Sequence, residues 1–397
     1  MTVTRSPARA DVGGDDEQGG IEMITQSPAK EGAVSAPKGP REVTAELKAE
    51  REKFYADLPK YQLGALWNVL DDALTPEPRT RSVPYLWKWS EVRPRVMRAG
   101  ELVTAKEAER RVLYFLNPGL PPEKISAVGT LYAGIQLILP GEIARTHHHT
   151  PAATRFIIEG ERAYTTVSGE RTLMKKGDYV TTPNWTWHDH GNESDKPMLW
   201  LDGLDVPLVT ELDAVFFELF VERTGNEVQP VTKPMEDASH RWAKNLRPTY
   251  QRHVGKFSPI LNYCWDDCRS ALQALRDDTG SSFDGIVLEY INPNTGGPSL
   301  PTMSAYLQLI RSSEHTKAHR HTASTVYHVA EGRGYSVIGG KRFDWAEGDT
   351  FVVPSWSWHE HASDGGEAVL FSFSDRPVLE AFDLIREQPL DEVPGGF

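Results

Sequence analysis

Pro183-Asn184-Trp185-Thr186-Trp187-His188-Asp189-His190 returns, little changed, as Pro354-Ser355-Trp356-Ser357-Trp358-His359-Glu360-His361, 171 positions on. Upstream, His147-His148-His149 answers to His319-Arg320-His321, and Glu159-Gly160 to Glu331-Gly332, each 172 positions on. Gly177-Asp178 and Gly348-Asp349 share the 171 offset, so one residue drops out between the anchors. A whole domain is duplicated, over a period far too long for a solenoid. The two windows hold all but His240 and His253 of the 13 histidines. A lone histidine is most often an ordinary surface or core residue. Two matched clusters point to metal, because neutral imidazole is the commonest protein metal ligand.

The text around these anchors reads as β structure. Runs such as Arg155-Phe156-Ile157-Ile158, Ala163-Tyr164-Thr165-Thr166-Val167 and Tyr179-Val180-Thr181-Thr182 are separated by Glu-Gly, Ser-Gly-Glu and Lys-Gly-Asp turns. Strand-length runs with turns at that rhythm predict an all-β sandwich or barrel. The pattern fills residues 131–204 and repeats over 285–377. A helix is expected over 45–58, with Thr44 as N-cap. A second is expected over 211–223, with Phe216, Phe217 and Phe220 in the core. A third, over 266–277, connects the copies. Cys264 and Cys268 stand near its start, and two thiols without further ligands are weak grounds for a metal site. The stretch to about 115, with Trp67, Trp87 and Trp89, is expected to pack on the first core. Residues 1–40 read as a disordered tail. Residues 41–225 and 226–397 then form the two domains.

Composition narrows the function. The chain has 397 residues, with 43 Lys+Arg against 56 Asp+Glu and a formal net charge of −13. That length suits two or three domains at roughly 150 residues each. An acidic chain is a poor match for nucleic acid, which needs a basic face. No apolar run approaches a membrane span. The N-terminal residues lack the apolar core of a signal peptide. Two cysteines exclude a disulfide scaffold. A cytoplasmic protein is expected.

Strand alternation places His147 and His149 on one face and His148 on the other. Arg320 in the middle of the second copy agrees with an outward position. His188 arrives on a neighbouring strand, so three imidazoles can converge and leave the remaining positions open. Such a set suits Fe, Cu, Ni or Zn alike. Open sites serve chemistry, whereas structural zinc sites are closed. Nearby, Arg155 shares the strand face and can pair with a carboxylate. Gln136 and Asp202 are polar residues inside apolar strands. Each alone reads equally well as an ordinary buried hydrogen-bonding group. His190 shares a face with His188 as a possible acid or base, and Asp202 is placed to orient it.

The spacing Gly141-x5-His147-x-His149, then Gly177-x5-Pro183-x4-His188-x3-Asn192, resembles the two motifs of the cupin superfamily, a double-stranded β-helix barrel. The carboxylate usual in the first motif is missing, since no acid follows until Glu159. This speaks against oxalate decarboxylase-like bicupins. The resemblance narrows further at Leu86-Trp87-Lys88-Trp89, Glu109-Arg110-Arg111-Val112-Leu113, Leu137-Ile138-Leu139-Pro140-Gly141-Glu142, Arg155-Phe156-Ile157-Ile158-Glu159-Gly160 and the stretch from Thr182 to Asn192. Residues from about 60 to 390 are similar to the gentisate 1,2-dioxygenase family, which includes salicylate and 1-hydroxy-2-naphthoate dioxygenases. The resemblance implies an all-β bicupin of two jelly-roll barrels with connecting helices. It implies Fe(II) on His147, His149 and His188. It implies a small aromatic hydroxy-carboxylate that is cleaved by dioxygen between its carboxyl- and hydroxyl-bearing carbons. Gentisate would give maleylpyruvate; salicylate, substituted salicylates and 1-hydroxy-2-naphthoate are alternatives. Arg155, Gln136 and Arg111 map to substrate binding, His190 and Asp202 to proton handling, and a homotetramer is implied. Tyr132 is a candidate pocket residue. A non-enzymatic bicupin is the remaining class, and two complete triads argue against it. In the second copy His319, His321 and His359 persist, with Gln308 and His361, while Tyr327 replaces Arg155 and Ser313 replaces Gly141. That barrel is expected to bind a metal but to handle carboxylates poorly.

Overall fold

The computed structural model describes residues 43–243, 247–251, 253 and 255–392. The expected tail at 1–40 lies outside the described residues. Residues up to Leu74 form a unit of their own. Its helix, Ala45–Asp57, is capped by Thr44, whose hydroxyl accepts from Leu47 N at 3.2 Å. Trp67 belongs to this unit and is 65% exposed.

From Thr75 onward the chain builds two barrels, each from a six-stranded and a five-stranded antiparallel sheet. In the first barrel the six-stranded sheet runs Asn262–Tyr263, Tyr179–Thr182, Ala153–Glu159, Met198–Leu204, Tyr132–Ile138, Val112–Tyr114. Its two faces are both buried, for different reasons. Ile135, Leu137, Phe156, Leu199 and Leu201 face the second barrel and share one core with Leu307, Leu309, Phe371 and Phe373. The Phe156 and Phe371 rings stack there at 4.3 Å. Alternate residues, among them Ile138, Ile157, Met198 and Trp200, fill the barrel interior. Strands buried on both faces read as continuous apolar runs, so the polar Gln136, Arg155 and Asp202 stand out on the inner face.

The boundary expected at 225/226 is crossed in both directions. Tyr85–Trp87 adds an edge strand to Thr350–Val353 of the second barrel, and Asn262–Tyr263 adds one to Tyr179–Thr182 of the first. Each edge strand leads into a helix, Trp89–Leu102 or Trp265–Ala274. Neither helix has a side-chain N-cap of its own. The opposite barrel supplies the acceptor: Asp349 of the second accepts from Trp89 N at 2.7 Å, and Asp178 of the first from Trp265 N at 2.9 Å. The helices themselves pack on Tyr132–Ile138 and on Ile286–Glu289 with Ser304–Ile310, respectively. Trp87 and Trp89 therefore lie with an arm that joins the second barrel's sheet.

The expected helix at 211–223 is two short helices, Val206–Glu211 and Phe220–Thr224, around the strand Phe217–Leu219. Asp213, with φ of 52°, ends the first helix in the left-handed region. The aromatic run then pairs with Ile143–His149 as a sheet edge.

Two buried acids latch the halves together. Asp205 accepts from Ala152 N at 2.7 Å and from Thr302 Oγ1 at 2.5 Å. Asp375 accepts from Ser324 N and Thr130 Oγ1, both at 2.7 Å. Burial pushes both carboxyls up to about 6. An acid raised above its unfolded value of about 3.9 adds stability below that value. The contribution is lost as pH rises through about 6. Asp205→Asn is therefore expected to flatten the decline in urea midpoint between pH about 4 and 7. An unchanged slope would show that this carboxyl is not raised.

Candidate metal centre

Two adjacent strands, Ile143–His149 and His188–Asn192, pair with His147 opposite His188. The Trp-x-Trp-His motif sets this geometry. Trp185, with φ of 56°, turns the chain, and its N–H donates to His149 O at 2.7 Å. Trp185 and Trp187 then close on His148 from two sides, with ring centroids at 3.7 and 3.6 Å. His148 also meets Glu218 at 2.7 Å. It faces away from the other two histidines, yet it is buried rather than solvated. Arg320 lies over Trp356 and Trp358 in the same way, at 4.4 and 4.6 Å.

His147, His149 and His188 bring ligand atoms within 4.8 Å of one another. The Nδ1 atoms of His149 and His188 donate to the carbonyls of Pro151 and Thr186 at 2.7 and 2.8 Å, whereas His147 Nδ1, 3.3 Å from Arg145 O, also meets the Arg110 guanidinium. An imidazole that donates from Nδ1 turns a lone pair on Nε2 inward. His188 Nε2 is buried without a hydrogen-bond partner, which fits a cation at the centre. Burial pushes His149 down to about 4 and His188 well below the usual range, so both are neutral and competent to bind.

Charge is concentrated beside the triad. Arg155 is buried and lies 3.3 Å from Asp202 Oδ1 through Nε, and its Nη1 donates to Thr182 Oγ1 at 2.6 Å. Trp200 Nε1 donates to Asp202 at 3.0 Å. Burial raises Asp202 to about 6 against the pull of Arg155. Asp202 thus holds Arg155 and Trp200, not His190 as the sequence suggested. His190 is wholly buried, both its ring nitrogens lack partners, and desolvation with Arg155 and Arg110 nearby holds it neutral. Gln136 is buried between Trp200 and Val112 on the same sheet.

Arg111 is the second correction. It pairs with Glu142 and donates to Val103 O at 3.0 Å, away from the triad. Its neighbour Arg110 takes the other side of the chain. Arg110 Nη2 donates to Arg145 O at 2.8 Å and contacts His147 Nδ1. Burial, then Arg155, brings Arg110 down to about 9. Adjacent residues on extended backbone face opposite ways, so spacing alone does not choose between them. The third correction is Phe217: it is 56% exposed, and its ring stands 5.3 Å from that of His147. Phe216 is exposed too, and half-buried Phe220 meets Trp187 edge-on at 5.1 Å. Phe217 stands exposed beside the triad, whereas Phe216 and Phe220 pack on Trp185 and Trp187 on the His148 side; none of the three is core.

Duplicated barrels with an inward three-histidine cluster define a two-barrel cupin, and the comparisons agree. The Cupin domain family model matches residues 134–205 and 306–374. Gentisate 1,2 dioxygenase 1 of Aquipseudomonas alcaligenes is 45% identical over 85% of this chain and 96% of its own length. The 5-aminosalicylate 1,2-dioxygenase of a Comamonas species is 40% identical over 86% and 91%. The crystal structure of salicylate 1,2-dioxygenase from Pseudoaminobacter salicylatoxidans with gentisate matches with a TM-score of 0.79 at 34% identity, over 90% of this chain and 96% of that one. The chain belongs to the gentisate 1,2-dioxygenase family of bicupins, and it is a ring-cleaving dioxygenase.

Proposed function

We propose that the N-terminal triad holds Fe(II) and takes gentisate, opening the ring between the carboxyl- and hydroxyl-bearing carbons to give maleylpyruvate. The observation that carries this reading is three inward imidazoles beside two desolvated arginines in one barrel. Fe(II) bound there would supply the electron transfer that lets dioxygen react with an aromatic ring. Arg110 and Arg155 receive the substrate carboxylate, a role that planar guanidinium suits. Asp202 fixes Arg155 and offsets part of its charge. Gln136 and Tyr132 flank the ring. Neutral His190 meets the hydroxyl farthest from the carboxylate, where it can accept a proton. Phe217 limits water at the mouth.

A neutral imidazole offers one donor and one acceptor. His190 therefore also suits a ring amine in that position, which supports 5-aminosalicylate as a second reading, with salicylate and 1-hydroxy-2-naphthoate beyond it. The test is anaerobic loading with Fe(II), then oxygen uptake with each acid. Gentisate is expected to consume one equivalent of dioxygen and give a ring-opened chromophore. Uptake with another acid alone would move the assignment to it. Loading with Zn(II) or Mn(II) instead tests the metal.

We also read the protein as a cytoplasmic homotetramer. Phe54, Leu63, Leu66 and Trp67 are exposed apolar surface that a second copy would cover. Among the described residues no helix is long and apolar enough to cross a membrane.

A further inference from the structure

We propose that the C-terminal barrel carries a second divalent-cation site, built from His319, His321, His359 and the carboxylate of Asp284, and that it holds its cation without admitting the carboxylate substrate. The cation site stands independently of the reading of the N-terminal barrel.

The three imidazoles again bring ligand atoms within 4.8 Å of one another. His321 and His359 give their Nδ1 atoms to Ala323 O and Ser357 O, at 2.8 and 3.0 Å. His319 Nε2 and His359 Nε2 stand 2.8 Å apart. Asp284 Oδ1 lies 3.6 Å from His319 Nε2. Two donors that each lie about 2.1 Å from one tetrahedral ion are about 3.4 Å apart. Asp284 therefore stands at ligand spacing from His319, just outside the three imidazoles whose ligand atoms all lie within 4.8 Å of one another. Its backbone is held as well, since Gln308 Nε2 donates to Asp284 O at 2.7 Å.

Strand register relates this carboxylate to the first barrel. Val287 pairs with Gln308 as Val112 pairs with Gln136. Counting back two residues, Arg110 falls on Gly285, next to Asp284. Where His147 faces a guanidinium, its counterpart His319 faces a carboxylate. The rest of the anion site is gone too. In the same ladders Tyr327 stands for Arg155, Ser372 for Asp202, and Tyr306 for Gly134. His319 and His321 line a cavity of about 620 Å³. Arg376, the guanidinium lining it, is engaged by Glu380 and Glu387. Three imidazoles and one carboxylate suit a first-row divalent ion. An anionic fourth donor and the absence of a free guanidinium disfavour an incoming acid.

The experiment uses the full chain, stripped of metal and dialysed against Co(II), with bound metal measured by mass spectrometry and by visible absorbance. Two ions per chain are expected, and one each in His188→Ala and His319→Ala. Asp284→Asn, at a half-exposed position that folding tolerates, is expected to weaken the second site by at least about tenfold. Gentisate is expected to change the Co(II) spectrum of His319→Ala and leave that of His188→Ala unchanged. One ion in the parent, unaltered by His319→Ala, would overturn the site. Full affinity in Asp284→Asn would remove the carboxylate from it. A gentisate response in His188→Ala would overturn the exclusion of substrate. Retention of both ions by His188→Ala, with one lost from His319→Ala, would instead count against the N-terminal reading, so the two failures are distinguishable.

Discussion

Turnover is expected to fall by at least about a thousandfold when His188 is replaced by alanine, because even outer partners of a metal ligand are worth about 10- to 100-fold. The inward nitrogen of His188 is buried with no hydrogen-bond partner among the described residues. Its removal takes away one of three ligands and leaves only the Thr186 carbonyl without its donor. The fold should therefore survive while metal retention and oxygen uptake collapse together. A variant that kept both its metal and its rate would move the reaction out of this barrel.

Arg155→Ala is expected to raise KM by about 10- to 100-fold, the worth of a charge-assisted hydrogen bond at about 1.5 to 3 kcal/mol. It should also destabilise the chain by about 3 kcal/mol, because Asp202 is left as a buried carboxylate without its cation. The two effects separate in the double variant. Adding Asp202→Asn removes the stranded charge and should restore most of the stability, while KM stays high. A single variant with an unchanged KM would remove Arg155 from substrate binding. Recovery of KM along with stability would make its role purely structural.

The histidines were legible because their chemistry and their repetition point the same way. His147, His149 and His188 needed only strand alternation to meet, and strand alternation is local. Gln136, Arg155 and Asp202 were legible as polar residues in apolar runs, and they do share the inner face of one sheet. What escaped depended on which side a residue takes outside regular strands. Arg110 and Arg111 differ by one position before a three-residue strand, and an ion pair with Glu142 decides between them. The strand at Phe217 escaped because helical spacing and an aromatic edge strand look alike over so few residues. The repeat held a clue, since Leu212-Asp213 returns as Phe382-Asp383, and Asp383 also has a positive φ before the edge strand Glu387–Pro389. The crossing of the arms carried a clue of the same kind. Trp89-Ser90-Glu91 and Trp265-Asp266-Asp267 stand 176 positions apart, close to the spacing of the histidine anchors. Asp284 escaped because its register counterpart is Glu109, which pairs with Arg145 in the first barrel and gives no hint of a metal ligand.

The exchanged arms set an order for synthesis. As the chain leaves the ribosome, Tyr85–Trp87 emerges among the first strands, yet its partner Thr350–Val353 is among the last. The first barrel, for its part, lacks an edge until Asn262–Tyr263 has been made. A nascent chain stopped after the first barrel thus carries one arm with nothing to dock on and one sheet edge with nothing to cover it. Open sheet edges invite pairing with other chains. Long-range pairing of this kind is slow to form, because the closing loop must be organised before any contact rewards it. Neither half is a self-sufficient module, and cutting the gene at the repeat boundary would yield two incomplete sheets rather than two small enzymes.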